Sequence, residues 1–161
     1  MDKRYGRYMS DYYFAYGSNM NPVRMATRGM RYRSTQGAQL SGWALRFDKR
    51  AADQQGAAFA NIVEAGGEVV HGVLYQLEAA AEILRMDPFE HWPERYRREK
   101  VEVMTSSGPV WTWVYIANTH WRRDGLKPSR EYLNHLLSGR PWLPECYFRW
   151  LAATKCLADA G

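Results

Sequence analysis

Long apolar runs and cysteines are both scarce in this sequence. No stretch approaches the roughly 20 apolar residues that a membrane-spanning helix needs, and the first residues contain no apolar segment typical of a signal peptide. Cys146 and Cys156 are the two cysteines in 161 residues. Both fall in the last predicted helix, which would hold them about 15 Å apart and prevent a disulfide. We therefore expect a cytoplasmic protein that does not bind membranes.

The sequence also lacks the patterns of several enzyme classes. Its four histidines form no i, i+3 or i, i+4 pair, and neither cysteine lies near one, which argues against a metal site. A hydrolase nucleophile elbow needs glycines two residues before and after its serine, but Ser18 has Tyr16 and Met20 there. The P-loop and Gly-x-Gly-x-x-Gly patterns are absent. We expect neither a metal nor an organic cofactor.

Positive charge is in excess, with a net charge of +5 and a sequence pI near 9.3. Such a balance permits an anionic substrate or an acidic partner, although solvated faces often carry a similar excess. No recognised nucleic-acid-binding motif accompanies it, so we do not expect a nucleic-acid partner. Trp121 and Trp142 are expected to be exposed and would permit an apolar interface, so a homodimer is one possible assembly.

Hydrophobic patterning predicts one domain at residues 11–161 after a flexible, basic arm at residues 1–10. Strands are predicted at 12–16, 38–48, 57–64, 69–77, 97–105 and 110–117. Helices are predicted at 22–28, 78–86, from Pro128 or Ser129 to about 138, and at 143–159. Turn residues 65–68 and 106–109 predict two hairpins. The predicted fold is therefore α+β, a small mixed, mainly antiparallel β-barrel with flanking helices.

The stretch from Tyr13 to Met20 is the first candidate for a functional site. Its aromatic start predicts a short buried strand, Gly17-Ser18-Asn19 predicts a tight turn, and Asn21-Pro22 predicts a helix start. Such a turn can aim backbone N–H groups at one point near the positive end of a helix, where a carboxylate or an oxyanion would bind. The alternative is a purely structural connection with a glycine for its geometry.

A second candidate lies between Met86 and Tyr96. Glu90 stands there between two prolines and beside aromatic residues, which predicts partial loss of solvent around its carboxylate. Its pKa would then rise toward the range of a general base. The alternative is a surface acid paired with Arg95 or Arg98.

These stretches resemble the gamma-glutamylcyclotransferase family, and most closely its gamma-glutamylamine cyclotransferase and AIG2-like branch. Tyr13–Met20 resembles the family signature Y-F-A-Y-G-S-N-[LM], and residues 87–96 resemble its D-x-F-E-G-x-P-x-x-Y segment. Weaker likenesses at residues 69–77, 128–132 and 143–144 extend the resemblance over residues 12–155. The one visible departure is His91, where the family has a glycine after its glutamate.

The resemblance implies a small mixed barrel that converts a gamma-glutamyl amide, a dipeptide or an amine conjugate, into 5-oxoproline and a free amine. It assigns the catalytic glutamate to Glu90, and the departure at His91 leaves the leaving amine open. It assigns the substrate-binding residues to Tyr13, Phe14, Ala15, Tyr16, Gly17, Ser18, Asn19, Tyr96 and Tyr132. One alternative is a lyase-type cyclotransferase for a special biosynthetic conjugate. The other is a catalytically silent protein of the same fold that binds a gamma-glutamyl or 5-oxoproline-like ligand.

Overall fold

The structure, a computed structural model, describes residues 10–157. The predicted arm at residues 1–10 lies outside this range except for Ser10, which is buried and donates its hydroxyl to the Trp111 carbonyl at 2.8 Å. The arm and the domain limits therefore stay predictions. No helix in residues 10–157 has the length and apolar character to cross a membrane.

Among residues 10–157, five strands form a closed barrel, whereas the sequence predicts six strands. The strands are β1 (Tyr12–Ala15), β2 (Tyr32–Arg50), β3 (Ala58–Leu77), β4 (Tyr96–Thr105) and β5 (Gly108–Ala117). Their order around the barrel is β1-β3-β2-β4-β5, and every neighbouring pair is antiparallel except β1 and β5, which close the barrel in parallel. The mixed, mainly antiparallel α+β barrel is thus confirmed.

The hairpin predicted at residues 65–68 is wrong. Residues 58–77 form one continuous strand, because β2 is 19 residues long and pairs with both halves of β3. Ser41 lies opposite Val69 and Trp43 lies opposite Glu64, so residues 65–68 bulge opposite the single Gly42. The chain reverses instead between β2 and β3, at the polar loop of residues 51–57.

In the described part of the chain, four short α-helices lie outside the barrel: α1 (Pro22–Thr27), α2 (Ile83–Met86), α3 (Arg130–Leu137) and α4 (Glu145–Ala152). Asn21 and Ser129 cap α1 and α3 by accepting from the backbone N–H groups of Val23 and Tyr132. The predicted last helix is too long, since the chain leaves α4 after Ala152. The backbone N–H of Leu157 then donates to the Pro128 carbonyl at 2.9 Å.

The structure changes two predictions, one about the separation of the cysteines and one about the exposure of two tryptophans. Cys156 lies beyond α4, so the helix does not separate it from Cys146, and both cysteines are free thiols. Trp121 and Trp142 are half-buried rather than exposed. An interface at these tryptophans stays an untested expectation.

Strand direction decides which segments meet at each end of the barrel. Because β1, β2 and β5 run one way and β3 and β4 the other, the last residues of the first group meet the first residues of the second. Tyr16, Lys49, Phe59, Tyr96 and Tyr115 come together at this end, although they span 100 positions of sequence. The turn after β1 and the loop before β4 meet at the same end.

Candidate active site

A cavity of about 490 Å³ opens at this end of the barrel. Eight of the ten site residues predicted from sequence line it: Tyr13, Tyr16, Gly17, Ser18, Asn19, Glu90, Tyr96 and Tyr132. The other two do not. Phe14 and Ala15 are 0% and 1% exposed, and their side chains belong to the hydrophobic core.

The turn after β1 lines the cavity and contains backbone donors without a protein acceptor. Residues Ser18–Met20 form a short 3-10 helix, in which the N–H of Met20 donates to the Gly17 carbonyl at 3.0 Å. Within the described chain, the N–H groups of Gly17, Ser18 and Asn19 donate to no protein acceptor. Helix α1 is only six residues long, so these amides, rather than a helix dipole, make the turn suited to an anion.

Asn19 ties this turn to the rest of the site. Its carbonyl accepts from the Tyr75 hydroxyl at 2.6 Å. Its side-chain Nδ2 lies 2.9 Å from Tyr13 Oη and 3.3 Å from Glu90 Oε1, and its Oδ1 accepts from Arg28 at 3.0 Å. Asn19 itself is 2% exposed, so these partners hold it in one position.

The loop of residues 87–95, which we call the acid loop, carries Glu90. It is anchored at its start by Asp87, whose carboxylate accepts from the Tyr115 hydroxyl at 2.7 Å and pairs with Arg98 at 2.7 Å. Near its end, Asn118 Nδ2 donates to the carbonyls of Pro93 and Glu94 at 2.7 and 2.8 Å. These contacts at both ends hold the acid loop over the mouth of the barrel.

Glu90 is the acid that the loop places in the cavity. Its side chain is 17% exposed, and burial raises the pKa of its carboxyl, although Arg28, Arg24, Lys49 and the Asn19 amide all favour the charged form. The guanidinium of Arg28 lies 3.9 Å from Glu90 Oε1. The alternative pairing with Arg98 is not formed, because Arg98 pairs with Asp87.

His91 adopts a left-handed backbone conformation, with a φ of 51°. Glycine adopts this conformation without steric cost, whereas other residues crowd the Cβ against the backbone. The sequence comparison with the family pattern marked this position as a departure from glycine, and the structure shows a backbone reason for a glycine there. His91 is exposed and lines the rim of the cavity.

Buried tyrosines form the cavity wall around Ala60. Tyr96 donates to the Ala60 carbonyl at 2.8 Å, and the Ala60 N–H donates to Tyr132 Oη at 2.9 Å. Tyr16 donates to the Tyr115 carbonyl. Burial raises the pKa of Tyr132 to about 12 and raises those of Tyr16 and Tyr96 further, so all three stay neutral phenols at neutral pH.

Several cavity residues were not among the catalytic and substrate-binding residues predicted from the sequence. They are Arg24, Arg28, Lys49, Ala52, Asp53, Phe59, Ala60, Phe89, His91, Arg95 and Tyr115. The spacing of Arg24 and Arg28, four residues apart on one helix face, was a signal for a shared location. Lys49 follows Leu45 and Phe47 at two-residue spacing, which hinted at a lysine on an apolar strand face.

Metal ligation has no support in the arrangement of side chains. Among residues 10–157, no three His, Cys, Asp or Glu side chains come together as metal ligands would. The chemistry available to the cavity is therefore that of a buried carboxyl, free backbone amides, phenols and cations.

Solved structures with the same architecture define the class of this barrel. A protein named gamma-glutamyl cyclotransferase superposes with a TM-score of 0.78 at 23% identity, over 93% of this chain and 90% of the other. An uncharacterised protein from Homo sapiens superposes with a TM-score of 0.81 at 23% identity, over 95% and 92%. A yeast gamma-glutamyl cyclotransferase specific to glutathione superposes with a TM-score of 0.62 at 15% identity, over 89% and 94%. These likenesses establish the fold as that of gamma-glutamyl cyclotransferases.

Family membership comes from the sequence match. The family described as gamma-glutamyl cyclotransferase, AIG2-like, matches residues 13–138, and the chain belongs to this family. No curated protein matches the sequence significantly. Membership supports a gamma-glutamyl cyclotransferase activity in general terms, while the match itself names neither the substrate nor the role of any residue.

Proposed function

We propose that this protein converts a gamma-glutamyl amide into 5-oxoproline and a free amine, with Glu90 as general base and then general acid. The observation that carries the proposal is the position of Glu90. A buried carboxyl with a raised pKa faces the same cavity as the free amides of residues 17–19. The family match supports this class of chemistry.

The cavity has a simple task in this reaction, because both reacting groups belong to one substrate molecule. The α-nitrogen of the glutamyl group attacks its own side-chain carbonyl carbon, forming one C–N bond, and the amide C–N bond to the leaving amine breaks. Holding the substrate in a folded-back conformation supplies much of the rate, since alignment in favourable intramolecular reactions contributes up to about 7–11 kcal/mol. Tyr16, Tyr96 and Tyr132 shape the wall against which such a conformer would pack.

Glu90 would move the proton. An α-ammonium has no lone pair for attack, and its ordinary pKa of about 8 keeps most of it protonated at neutral pH. Glu90 accepts that proton before attack and returns it to the nitrogen of the departing amine. The ring nitrogen loses a second proton after attack, which passes to the freed Glu90 carboxylate and then to the solvent or the released amine. A raised pKa makes the carboxylate a better base and lets the same group serve as the acid.

The turn after β1 would bind negative charge. Three N–H donors at Gly17, Ser18 and Asn19 suit either the α-carboxylate of the substrate or the oxyanion that forms on the attacked carbonyl. Ser18 serves here through its backbone and as a contact residue, not as a nucleophile. No metal or organic cofactor takes part in this sequence of steps.

The test is a direct assay for 5-oxoproline. The protein is incubated with gamma-glutamyl dipeptides and gamma-glutamyl-lysine, and Glu90→Gln is the matched variant. We expect the substitution to lower kcat by about 10²–10⁴-fold, the usual contribution of general acid–base catalysis. Release of 5-oxoproline at full rate by the variant would overturn the assignment of Glu90.

Two other outcomes of this assay lead to the alternatives. If no substrate is turned over but 5-oxoproline or glutamate binds tightly, the protein is a silent binding protein of this fold. If only a conjugate from a metabolite pool is turned over, the protein is a cyclotransferase dedicated to one biosynthetic conjugate. The presence of Glu90 in the cavity favours turnover over silent binding.

A further inference from the structure

Lys49, near the end of β2, places a positive charge inside the cavity. The residue is 2% exposed, yet it lines the cavity. Its Nζ lies over the rings of Trp121, Phe59 and Tyr96, with distances of 4.9, 5.0 and 5.6 Å to the ring centres. Within residues 10–157, this ammonium forms neither a hydrogen bond nor an ion pair with a side chain or backbone carbonyl.

A buried ammonium without an acceptor is costly to hold. It carries three donors, and burial normally requires partners for them. Burial lowers the pKa of Lys49 to about 8, with Arg95 acting in the same direction and Glu90 opposing it, so the group remains mostly charged at neutral pH. Contacts with aromatic rings offset part of the cost but satisfy no donor. The donors of Nζ therefore remain open to an acceptor that enters the cavity, and an anionic group is the acceptor best matched to an ammonium.

Lys49 belongs to a second cationic region, distinct from the one beside the turn. Arg95 lies next to it, with its guanidinium 4.5 Å from the ring centre of the same Trp121. Arg24 and Arg28 project from α1 beside the turn, where Arg24 Nε is buried without a hydrogen-bond partner among the described residues. Glu90 interacts electrostatically with both regions.

The two regions suit two different parts of a substrate. Arg28 donates to Asn19 of the turn, and this part of the cavity would bind the glutamyl group. The charges that act most strongly on Lys49 include Arg95 and Glu90 but neither Arg24 nor Arg28. The cavity around Lys49, with the exposed His91 and Asp53, would therefore receive the leaving amine. Asp53 is solvent-exposed, so its charge is screened more strongly than that of the buried ammonium.

We propose that Lys49, with Arg95 beside it, binds a carboxylate carried by the leaving amine and so selects gamma-glutamyl amides of carboxylate-bearing amines. The inference rests on the proposed cyclotransferase function. It makes Lys49 a specificity-determining residue, because the ammonium contacts a part of the substrate in which no bond is made or broken. Neutral amines and polyamines would leave the ammonium without a partner or place like charges together.

A matched pair of substrates tests this directly. Gamma-glutamylalanine and gamma-glutamylethylamide differ only by the carboxylate on the leaving amine. We expect Lys49→Gln to lower kcat/KM for gamma-glutamylalanine by about 10–100-fold, mainly through KM, as the loss of a hydrogen bond to a charged group does. We expect less than about a 3-fold change for gamma-glutamylethylamide, and partial recovery of the alanine substrate in Lys49→Arg. Lys155→Gln removes an exposed lysine and is the charge-matched control.

Equal losses on both substrates would overturn the inference, since Lys49 would then act on the glutamyl part or on the fold. Calorimetry with the Glu90→Gln protein separates this failure from failure of the proposed function. If the wild-type protein turns over neither substrate, the proposed function fails. The subsite is still supported if gamma-glutamylalanine binds about 10–100-fold more tightly than gamma-glutamylethylamide and Lys49→Gln abolishes the difference. Equal binding of the two ligands would overturn the subsite.

Discussion

The turn after β1 and the acid loop bound the same cavity, but the fold holds them in different ways. The turn packs against buried side chains. Tyr13 is 4% exposed and Asn19 is 2% exposed, and the Tyr75 hydroxyl donates to the Asn19 carbonyl at 2.6 Å. The acid loop is exposed along residues 91–94 and contains a non-glycine residue with positive φ. Polar anchors at Asp87 and Asn118 hold its ends.

This difference separates two functions that one cavity needs. Groups that bind a substrate must keep fixed distances, and packing against a core provides that rigidity. A residue that transfers protons must stay reachable by the substrate, and an exposed loop can vary around it. Changes behind the turn are therefore expected to lower stability and activity together, whereas changes in the acid loop are expected to alter activity with little effect on stability.

The largest expected effect lies behind the turn, at Gly72 of β3. A Cβ at this position would lie 2.3 Å from the Ala15 carbonyl oxygen and 2.8 Å from the Phe14 ring, so β1 would have to move. We expect Gly72→Ala to lower the free energy of unfolding by more than about 3 kcal/mol, at or beyond the upper range for overpacking a core. Urea unfolding monitored by tryptophan fluorescence measures it.

Gly66→Ala is the matched control, because it lies in the same strand and no atom of residues 10–157 lies within 4 Å of its added Cβ. We expect its stability to stay within about 0.5 kcal/mol of the wild-type value, as for surface substitutions. Equal stability of the Gly72 and Gly66 variants would show that β1 is not held by backbone packing, and would remove one basis of the comparison.

A somewhat smaller effect is expected for Asn19→Ala, which joins the two regions. The substitution removes the amide that donates to Tyr13 Oη and to Glu90 Oε1, and leaves buried groups unpaired. We expect a loss of about 2 kcal/mol in the free energy of unfolding. Because the Asn19 amide holds the pKa of Glu90 down, its removal raises that pKa further and moves the acidic limb of the kcat/KM profile to higher pH.

That pair of measurements distinguishes the roles of Asn19. A stability loss without a shift of the acidic limb would mean that Asn19 supports the turn alone. A shift of the acidic limb without a loss of stability would mean that Asn19 does not hold the turn, which would contradict the proposed difference between the turn and the acid loop.

Local sequence patterns predicted most of the barrel, because each strand has its own alternation and each turn its own residues. They failed at residues 65–68, where two glycines beside two apolar runs indicated a reversal. Which strand a segment pairs with depends on the length of its partner. The 19 residues of β2 allow β3 to continue past the glycines as a bulge. Local chemistry does not contain that information.

The candidate site shows the same limit. Glu90 and residues 17–19 were found because each lies in a short stretch with its own pattern, and the raised pKa of Glu90 was expected from its aromatic neighbours. Lys49 was missed because its setting depends on Phe59, Tyr96 and Trp121, which lie far along the sequence and meet it only at the end of the closed barrel.

Removing the charge of Lys49 is expected to stabilise the protein. A pKa lowered from 10.5 to about 8 means that the charge lowers the free energy of unfolding by about 3 kcal/mol. Losing the contacts with three rings would offset about 1–2 kcal/mol of the gain from removing this charge. We expect Lys49→Met to gain about 1–2 kcal/mol at pH 7. The folded protein binds this proton less tightly than the unfolded chain, so the gain is full below pH 8 and disappears as pH rises toward 10.5. Unfolding at pH 7 and pH 10 measures it, and a pH-independent gain would contradict the assigned cause.

The smallest effect is expected in the acid loop, at His91. A left-handed backbone costs a non-glycine residue about 1–2 kcal/mol, while glycine adds about 0.5–1 kcal/mol of chain entropy to the unfolded state. We expect His91→Gly to raise the free energy of unfolding by about 0.5–1 kcal/mol. His91→Ala keeps the Cβ and is expected to give no gain, so the pair separates backbone strain from loss of the imidazole. If both variants gain the same stability, loss of the imidazole and not relief of backbone strain is the source. The acid loop would then be less strained than the φ of 51° at His91 indicates.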